Sequence, residues 1–399
     1  MSLPTIYLPH HLGKQLDLGH PWIYRDRIVS AARDESRGGP RLSSGTWVKV
    51  QCGKRVLYGL WDDRGSIAIR LFSRQQVPDA RWVRDRIDRA WQMRAPLWQN
   101  RGHLSEGTTA FRVLYGEGDG IPGIVVDLYN DYAVLQSYAD SLDVIVPWVV
   151  EGLRGCIDLK GILRRDPSGQ VQTLWGRSPG PEVIVQENGL RLGVNLIAGQ
   201  KTGLFLDHRE NRQYLEAWCK NKRVLNCFAY TGAFSLYAIR GGASEVTGVD
   251  IAPQTAEATR RNFELNGFEP DAHPVIVADC FDLLEQYASQ DRSFDLIILD
   301  PPSLAQSKKS RHAAIRAYTR LNQLAMCCLP PGGHLATASC TSQVSPQAFR
   351  DLLGEASARA GKRFLILHEA GHAIDHPVPA HFPEGRYLKF VFGQVEGLI

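Results

Sequence analysis

From about residue 200 the sequence alternates between short apolar runs and amphipathic stretches of helix length. KRVLNCF, EVTGVD, PVIVAD, FDLIILD, GHLATASC, RFLILHEAG and YLKFVFGQV read as strands. TGAFSLYAIRG, PQTAEATRRNFELNG, FDLLEQYASQ, RAYTRLNQLAMCCL and PQAFRDLLGEASARAG read as the helices between them. Strands joined through helices need crossover connections, so they lie parallel with helices on both faces. The pattern predicts a doubly wound α/β sheet. Only IDHPVPAHFPEGR separates the last two strands, with no helical period. The last strand is therefore expected to return antiparallel.

The remaining 200 residues have a different texture. GTWVKVQC, VLYGLWDD and SIAIRLFS are short strands broken by glycine, with Val48 and Val50 or Ile67 and Ile69 alternating, which predicts a small barrel or sandwich over 1–75. RDESRGGPRLSSG reads as a polar loop. Pro78 to Arg94 reads as a helix with Trp82, Ile87, Ala90 and Trp91 on one face. In the α+β stretch that follows, VVDLY and YAVLQSY are joined by Asn130-Asp131, a hairpin signal. Three units are expected, over 1–75, 76–198 and 199–399.

Composition narrows the class. The net charge of +4 permits nucleic-acid binding without requiring it. No apolar run approaches the roughly 18–20 residues of a membrane span, and MSLPTIYLPHH lacks the pattern of a secretory leader. The eight cysteines show no CxxC pair and no zinc spacing, so no metal is expected. Free thiols in a reducing cytoplasm are expected instead.

Ligands of an open α/β sheet bind beyond the carboxyl ends of its strands. Three stretches should meet there. LNCFAYTGAFS turns from the first strand into a helix, and Gly232 lets the backbone come close. A single glycine is not the GxGxxG of dinucleotide sites, so a diphosphate is disfavoured. Asp250 ends the second strand, placed either to accept from ribose hydroxyls or to cap the next helix. Asp279 ends the third, either to accept from an adenine amino group or as a cap, with Phe281 beside the ring. Cys280 between them reads either way. Together the three stretches point to a nucleoside-type cofactor.

Two further strand ends carry candidate chemistry. The fourth ends in Asp300-Pro301-Pro302, where two prolines stiffen the loop. The fifth ends in Cys340. Carbon 5 of a pyrimidine is a poor nucleophile until a thiolate adds to carbon 6, so a cysteine here suits carbon-5 methylation. The thiol would need a lowered pKa, and the helix starting near Ser345-Pro346 is placed to help. The alternative is N-methylation of guanine or adenine by the Asp300-Pro301-Pro302 loop without a covalent step. Against it, Ser303 and Leu304 follow the prolines where such enzymes usually carry an aromatic. Cys327 and Cys328 read as core filling, and Cys227 as packing.

With these motifs the chain resembles the bacterial PUA-linked (cytosine-5) methyltransferases of large-subunit ribosomal RNA along nearly its whole length. GHPWIYRDRI resembles a PUA domain, and EGDGIPGIVVDLYNDYAVLQ resembles the family's central domain. GQKTGLFLDHRENR, NCFAYTGAFS, LDPPS, ASC and DHPVPAHFPEGRYLKF resemble its catalytic domain. The resemblance implies a class I (Rossmann-like) seven-stranded methyltransferase domain after a small β-barrel PUA domain and a central α+β domain. It implies S-adenosyl-L-methionine as cofactor, held by Lys201, Phe205, Asp207, Arg209, Asp250 and Asp279. From the turn and the neighbouring loops it adds Asn226, Phe228, Tyr230, Thr231, Gly232, Cys280, Phe281, Asp300 and Pro301. Cys340 would be the nucleophile and Asp300 its catalytic partner. The cysteine that other RNA carbon-5 methyltransferases carry after the second proline is replaced by Ser303. The expected partner is 23S ribosomal RNA or a subunit precursor, with no membrane. A homodimer through an exposed edge of the central sheet is also open. Arg25, Lys308, Lys309 and Arg311 are candidates to grip phosphates, although SKKSRH also reads as a solvated helix start. The arginines of the 81–94 helix read mainly as a solvated face.

Overall fold

The computed structural model describes residues 3–28, 42–99, 106–199, 201–305 and 310–398. Lys308 and Lys309, and most of the RDESRGGPRLSSG loop, lie outside the described residues.

The N-terminal unit is a five-stranded sheet. Its strands run in the order Thr5–Tyr7, Trp47–Cys52, Arg55–Trp61, Ile67–Ser73, Trp22–Tyr24. In WVKVQC every second residue is buried, so Val48, Val50 and Cys52 join Ile69 in one core. The central unit is a second five-stranded sheet, ordered Val171–Gly176, Gly161–Arg165, Tyr132–Ser137, Ile124–Tyr129, Ala110–Tyr115. The hairpin turns at Asn130, whose φ of 57° suits a tight connection. Helices Ala80–Gln99 and Val146–Cys156 pack against this sheet.

The helix Ala80–Gln99 departs from its sequence reading. Its buried stripe is Val83, Ile87, Ala90 and Arg94, while Trp82 and Trp91 are only half-buried. Arg94 is 1% exposed and binds both oxygens of Asp119 and the carbonyl of Asp375. It braces domains and does not belong to a solvated basic face. A hairpin of Val183–Glu187 and Leu190–Val194 then leads to the C-terminal unit.

The C-terminal sheet has seven strands: β1 (Arg223–Cys227), β2 (Glu245–Asp250), β3 (Val275–Val277), β4 (Leu296–Leu299), β5 (His334–Ser339), β6 (Lys362–Ala370) and β7 (Lys389–Gly397). Their order is β3-β2-β1-β4-β5-β7-β6. The first five are parallel, and β7 runs antiparallel to both β5 and β6, as the missing helix between β6 and β7 predicts. Leu225, Ile297 and Leu335 are completely buried. Each such side chain contributes roughly 1.5–3 kcal/mol. The strand order switches between β1 and β4, and the cavity described next opens beyond their carboxyl ends. Cys227 and Cys328 pack in this core, but Cys327 is exposed. Neighbours on a helix cannot share a face, so only one of the pair fills the core.

A buried polar hub joins the central and C-terminal units. Asp375, with no exposure, accepts from the Arg112 backbone N–H (2.7 Å) and from Arg209 Nη2 (2.8 Å). Gly118 of EGDGIPG passes this loop so closely that a Cβ would lie 2.0 Å from the Pro377 carbonyl oxygen. Only glycine fits there.

Candidate functional site

Beyond the ends of β1, β2, β3, β4 and β5 lies a cavity of about 370 Å³. The turn after β1 forms its floor. Phe228, Tyr230 and Gly232 alternate at φ of 60°, 49° and 78°. Bulky side chains rarely adopt this left-handed conformation, and such strain collects at functional sites. The strained turn is pinned from β2: Asp250 Oδ2 accepts from Tyr230 N (2.8 Å) and Oδ1 from Ala252 N (3.1 Å). Gly232 sits against Thr259, whose Cγ2 would lie 2.6 Å from an added Cβ. Asp279 does cap the helix Cys280–Ser289, accepting from Phe281 N and Asp282 N through Oδ1. Asp279 also lines the cavity.

The segment GQKTGLFLDHRENR closes the opposite wall. Thr202 fixes it to the central unit by donating to Asp127 Oδ2 (2.6 Å). Lys201 stands over the Phe205 ring at 4.0 Å, and Phe205 meets Tyr230 edge-on. Asp207 is buried and accepts from Tyr387 Oη (2.7 Å) through Oδ2. Burial opposes its ionisation, yet Lys201, aided by the Tyr387 hydrogen bond, holds its carboxyl well below the usual range. Its Oδ1 and the Thr231 hydroxyl are buried without a hydrogen-bond partner among the described residues. A ligand that donates into the cavity would satisfy the carboxylate oxygen.

Asp300, Pro301, Pro302 and Leu304 line the same cavity as Cys340. Cys340 is half-buried just past β5, its Sγ 4.0 Å from the Pro301 carbonyl oxygen. The expected lowering of its pKa is not found. Burial and the nearby Asp300 carboxylate push the thiol up, with Lys201 and Lys389 pulling the other way. The helix Pro346–Arg359 is instead capped by its own Ser345, whose Oγ accepts from Ala348 N. Ser303 donates to the Ala305 carbonyl, away from any role as a second thiol.

Most of the expected residues meet here. Lys201, Phe205, Asp207, Phe228, Tyr230, Thr231, Asp250, Asp279, Cys280, Phe281, Asp300, Pro301 and Cys340 all line the cavity. Three do not. Arg209 is buried in its pair with Asp375 and faces away. Asn226 lies beneath the turn, donating to Ser235 Oγ (2.9 Å), and Gly232 supports the turn without facing the cavity. Of the phosphate candidates, Arg311 is exposed at the start of its helix, Arg311–Cys327. Arg25 is occupied: it donates to the carbonyls of Gly65, Asp62 and Arg64 and stacks on Trp61.

His208 and Arg212 were missed, although both lie within the motif that carries Asp207. Asn211 Nδ2 donates to the Gly371 carbonyl (3.1 Å) and lies 3.0 Å from His208 Nδ1. This makes Nδ1 the acceptor and leaves the ring proton on Nε2. Nε2 lies 3.3 Å from Asp300 Oδ1, close but poorly aligned for a hydrogen bond. Arg212 forms a two-bond pair with Glu187 (2.8 and 2.7 Å) that ties the preceding hairpin to the cavity wall. A second cavity of about 810 Å³ lies between the N-terminal sheet, the central unit and the loop before β7. Lys201 lines both cavities.

Asp250→Ala is expected to weaken S-adenosylhomocysteine binding about 10- to 100-fold, the scale of hydrogen bonds to a charged group. Calorimetry checks this, and unchanged affinity would remove Asp250 from the site.

Comparison with known proteins agrees with this geometry. A family model of S-adenosylmethionine-dependent methyltransferases matches residues 158–377, and a PUA-like domain model matches 6–74. The ribosomal RNA large subunit methyltransferase I of Vibrio cholerae is 33% identical over 398 residues, covering 97% of this chain and 98% of that protein. The protein of the same name from Pseudoalteromonas translucida is 33% identical over 397 residues, covering 96% and 98%. A methyltransferase solved with S-adenosylhomocysteine superposes with a TM-score of 0.86 at 22% identity, over 98% of this chain and all of that one. The cavity fits that cofactor class, with an acidic residue ending β2, aromatic walls and an unpartnered carboxylate oxygen. Among the described residues no helix is long and apolar enough to cross a membrane, and no cluster of metal-ligating side chains occurs. The chain belongs to the ribosomal RNA large subunit methyltransferase I family, S-adenosylmethionine-dependent enzymes with a PUA-like N-terminal domain.

Proposed function

We propose that the protein methylates carbon 5 of a cytosine in 23S ribosomal RNA through a covalent adduct with Cys340, in the cytoplasm. One observation carries this reading: Cys340, Asp300 and Pro301 share a single cavity with Asp250 and the strained turn. Methylation of an exocyclic nitrogen needs no thiol, whereas carbon 5 does.

Lys201, Phe205, Asp207, Asp250, Asp279 and Phe281 would hold the cofactor. Bound there, S-adenosylmethionine supplies an electrophilic methyl group. The Cys340 thiolate adds to carbon 6 of the base, and carbon 5 becomes nucleophilic. Asp300, with the His208 Nε2 proton beside it, hydrogen-bonds the polar edge of the ring and favours addition. After transfer, a water in the cavity takes the carbon-5 proton, the C–H pair restores the carbon 5–carbon 6 double bond, and the C6–S bond breaks to expel the thiolate. The base must leave its stack to reach Cys340. The larger cavity supports a route for the strand. It meets the first at Lys201, and its wall carries Trp22, Tyr115 and Tyr138 for stacking and the exposed Arg64 for phosphate. Arg311 flanks the loop after Pro302.

Nucleoside mass spectrometry of ribosomal RNA from cells lacking the protein tests the reading. One 5-methylcytidine of the large subunit should disappear and return with the wild-type chain but not with Cys340→Ala. Unchanged 5-methylcytidine with a lost N-methylated purine would overturn it.

A further inference from the structure

Lys389 opens β7 directly opposite Ser339, the last residue of β5 before Cys340. It is buried, 5% exposed. Lysine is almost never buried without a carboxylate partner, because the ammonium loses its hydration. Among the described residues, Lys160 and Lys201 form ion pairs with carboxylates, and Lys389 does not. Its Nζ donates instead to two main-chain carbonyls, those of Thr341 and Tyr387. Carbonyls hold the group in place without neutralising it. Thr341 follows Cys340 in the chain, so the anchoring carbonyl lies one residue from the thiol.

We propose that Lys389 is the proton partner of Cys340 and stabilises its thiolate during attack on the base. The inference rests on Cys340 acting as the nucleophile. One proton is shared between two groups, as thiol with amine or as thiolate with ammonium. As attack begins, the S–H bond breaks and the proton passes to Nζ. The sulfur pair forms the bond to carbon 6, and the π pair of the carbon 5–carbon 6 bond moves to carbon 5. When the adduct breaks, the sulfur regains its pair as a thiolate beside the ammonium. The carbon-5 proton takes no part in this exchange.

The electrostatics agree. Burial draws the Lys389 ammonium down to about 8, and Cys340 opposes this. Burial and Asp300 push the thiol up. The two shifts favour the neutral thiol–amine pair at rest, which leaves the amine ready to take the proton as attack begins. The other titratable groups around the pair come from several elements. Asp300 follows β4, Lys201 and Asp207 lie on the segment before β1, and Tyr318 on the helix Arg311–Cys327. Tyr387 precedes β7, and His372 follows β6 and accepts from Leu388 N. Among the described residues, none of these side chains donates to the main chain of the residue after Cys340 as Lys389 does.

The test is the pH profile of Cys340 alkylation by iodoacetamide, read on its own peptide by mass spectrometry. Lys389→Met should slow alkylation at pH 7.5 by about tenfold and move the inflection to higher pH. Lys389→Arg keeps the cation that stabilises the thiolate but cannot take up its proton, so alkylation should stay fast while methyl transfer falls, and methyl transfer at the wild-type rate would overturn the proton-partner role. Binding of S-adenosylhomocysteine confirms that each variant is folded. A second measurement needs no change at Lys389. In Cys340→Ser the acetylation inflection of Lys389 should fall, because the thiolate no longer favours the ammonium. An unchanged Cys340 profile in folded Lys389→Met, or an unchanged Lys389 inflection in Cys340→Ser, would overturn the pairing. If wild-type protein forms no adduct with 5-fluorocytosine RNA while both shifts appear, the pairing stands and the nucleophile reading falls.

Discussion

Cys340→Ala is expected to lower methyl transfer to RNA roughly ten-thousand-fold or more, since removal of a nucleophile abolishes the covalent route outright. S-adenosylhomocysteine binding should survive, because the thiol sits at the far end of the cavity from Asp250 and Phe281. The two effects separate chemistry from binding. Cys227→Ala and Cys328→Ala are the controls, because both thiols pack in the sheet core. They should cost stability through small cavities and leave the rate per folded molecule unchanged. Filter-binding assays with labelled methyl groups measure the rate, and calorimetry measures the affinity. Activity of Cys340→Ala near the wild-type level would place the chemistry elsewhere.

The second large effect concerns stability. Asp375→Ala is expected to destabilise the fold by about 3–5 kcal/mol, the usual result of removing one partner of a buried ion pair. The aspartate binds Arg209, which is 1% exposed, together with His376 and the Arg112 backbone. Its removal leaves the buried Arg209 guanidinium to the partly exposed Glu210 and strands a central-sheet N–H. Burial favours the neutral acid, but Arg209 and His376 prevail and hold the carboxyl far below the ordinary range. The folded pKa lies below the unfolded one. The contribution is therefore complete above about pH 4 and is lost as pH falls through the folded value. Urea unfolding at pH 7 should show a lower midpoint for Asp375→Ala, with the gap closing in strong acid. A difference below about 1 kcal/mol at pH 7 would mean that the pair behaves like a surface ion pair.

Much of the C-terminal fold was legible because parallel strands covered on both faces must be apolar throughout. LIIL in β4 is apolar and buried at every position, and HLATAS in β5 is buried throughout although His334, Thr337 and Ser339 are polar. Strand ends were legible for the same reason, which placed Asp250, Asp279, Asp300 and Cys340 at one edge of the sheet. The segment before β1 was harder. In LDHRENR a short 3-10 turn passes into a helix, so adjacent side chains diverge. Asp207 and His208 face the cavity, while Arg209 turns to Asp375, 166 residues away. No local pattern encodes that partner. Arg94 was hidden likewise, its ligands coming from Asp119 and from the loop before β7. The thiol pKa of Cys340 followed neither the helix nor the strand that carries it. Its surroundings are set by Asp300, Lys201 and Lys389, which come from three other segments.

The covalent step is tested most directly by incubating the protein and S-adenosylmethionine with RNA containing 5-fluorocytosine. Fluorine at carbon 5 cannot leave as a proton does, so an adduct formed through carbon 6 persists after methyl transfer. A covalent chemistry at Cys340 predicts a stable protein–RNA complex in denaturing gels, its mass shift mapped to the Cys340 peptide and absent in Cys340→Ala. Full methylation of unmodified RNA with no adduct on the fluorinated one would contradict it.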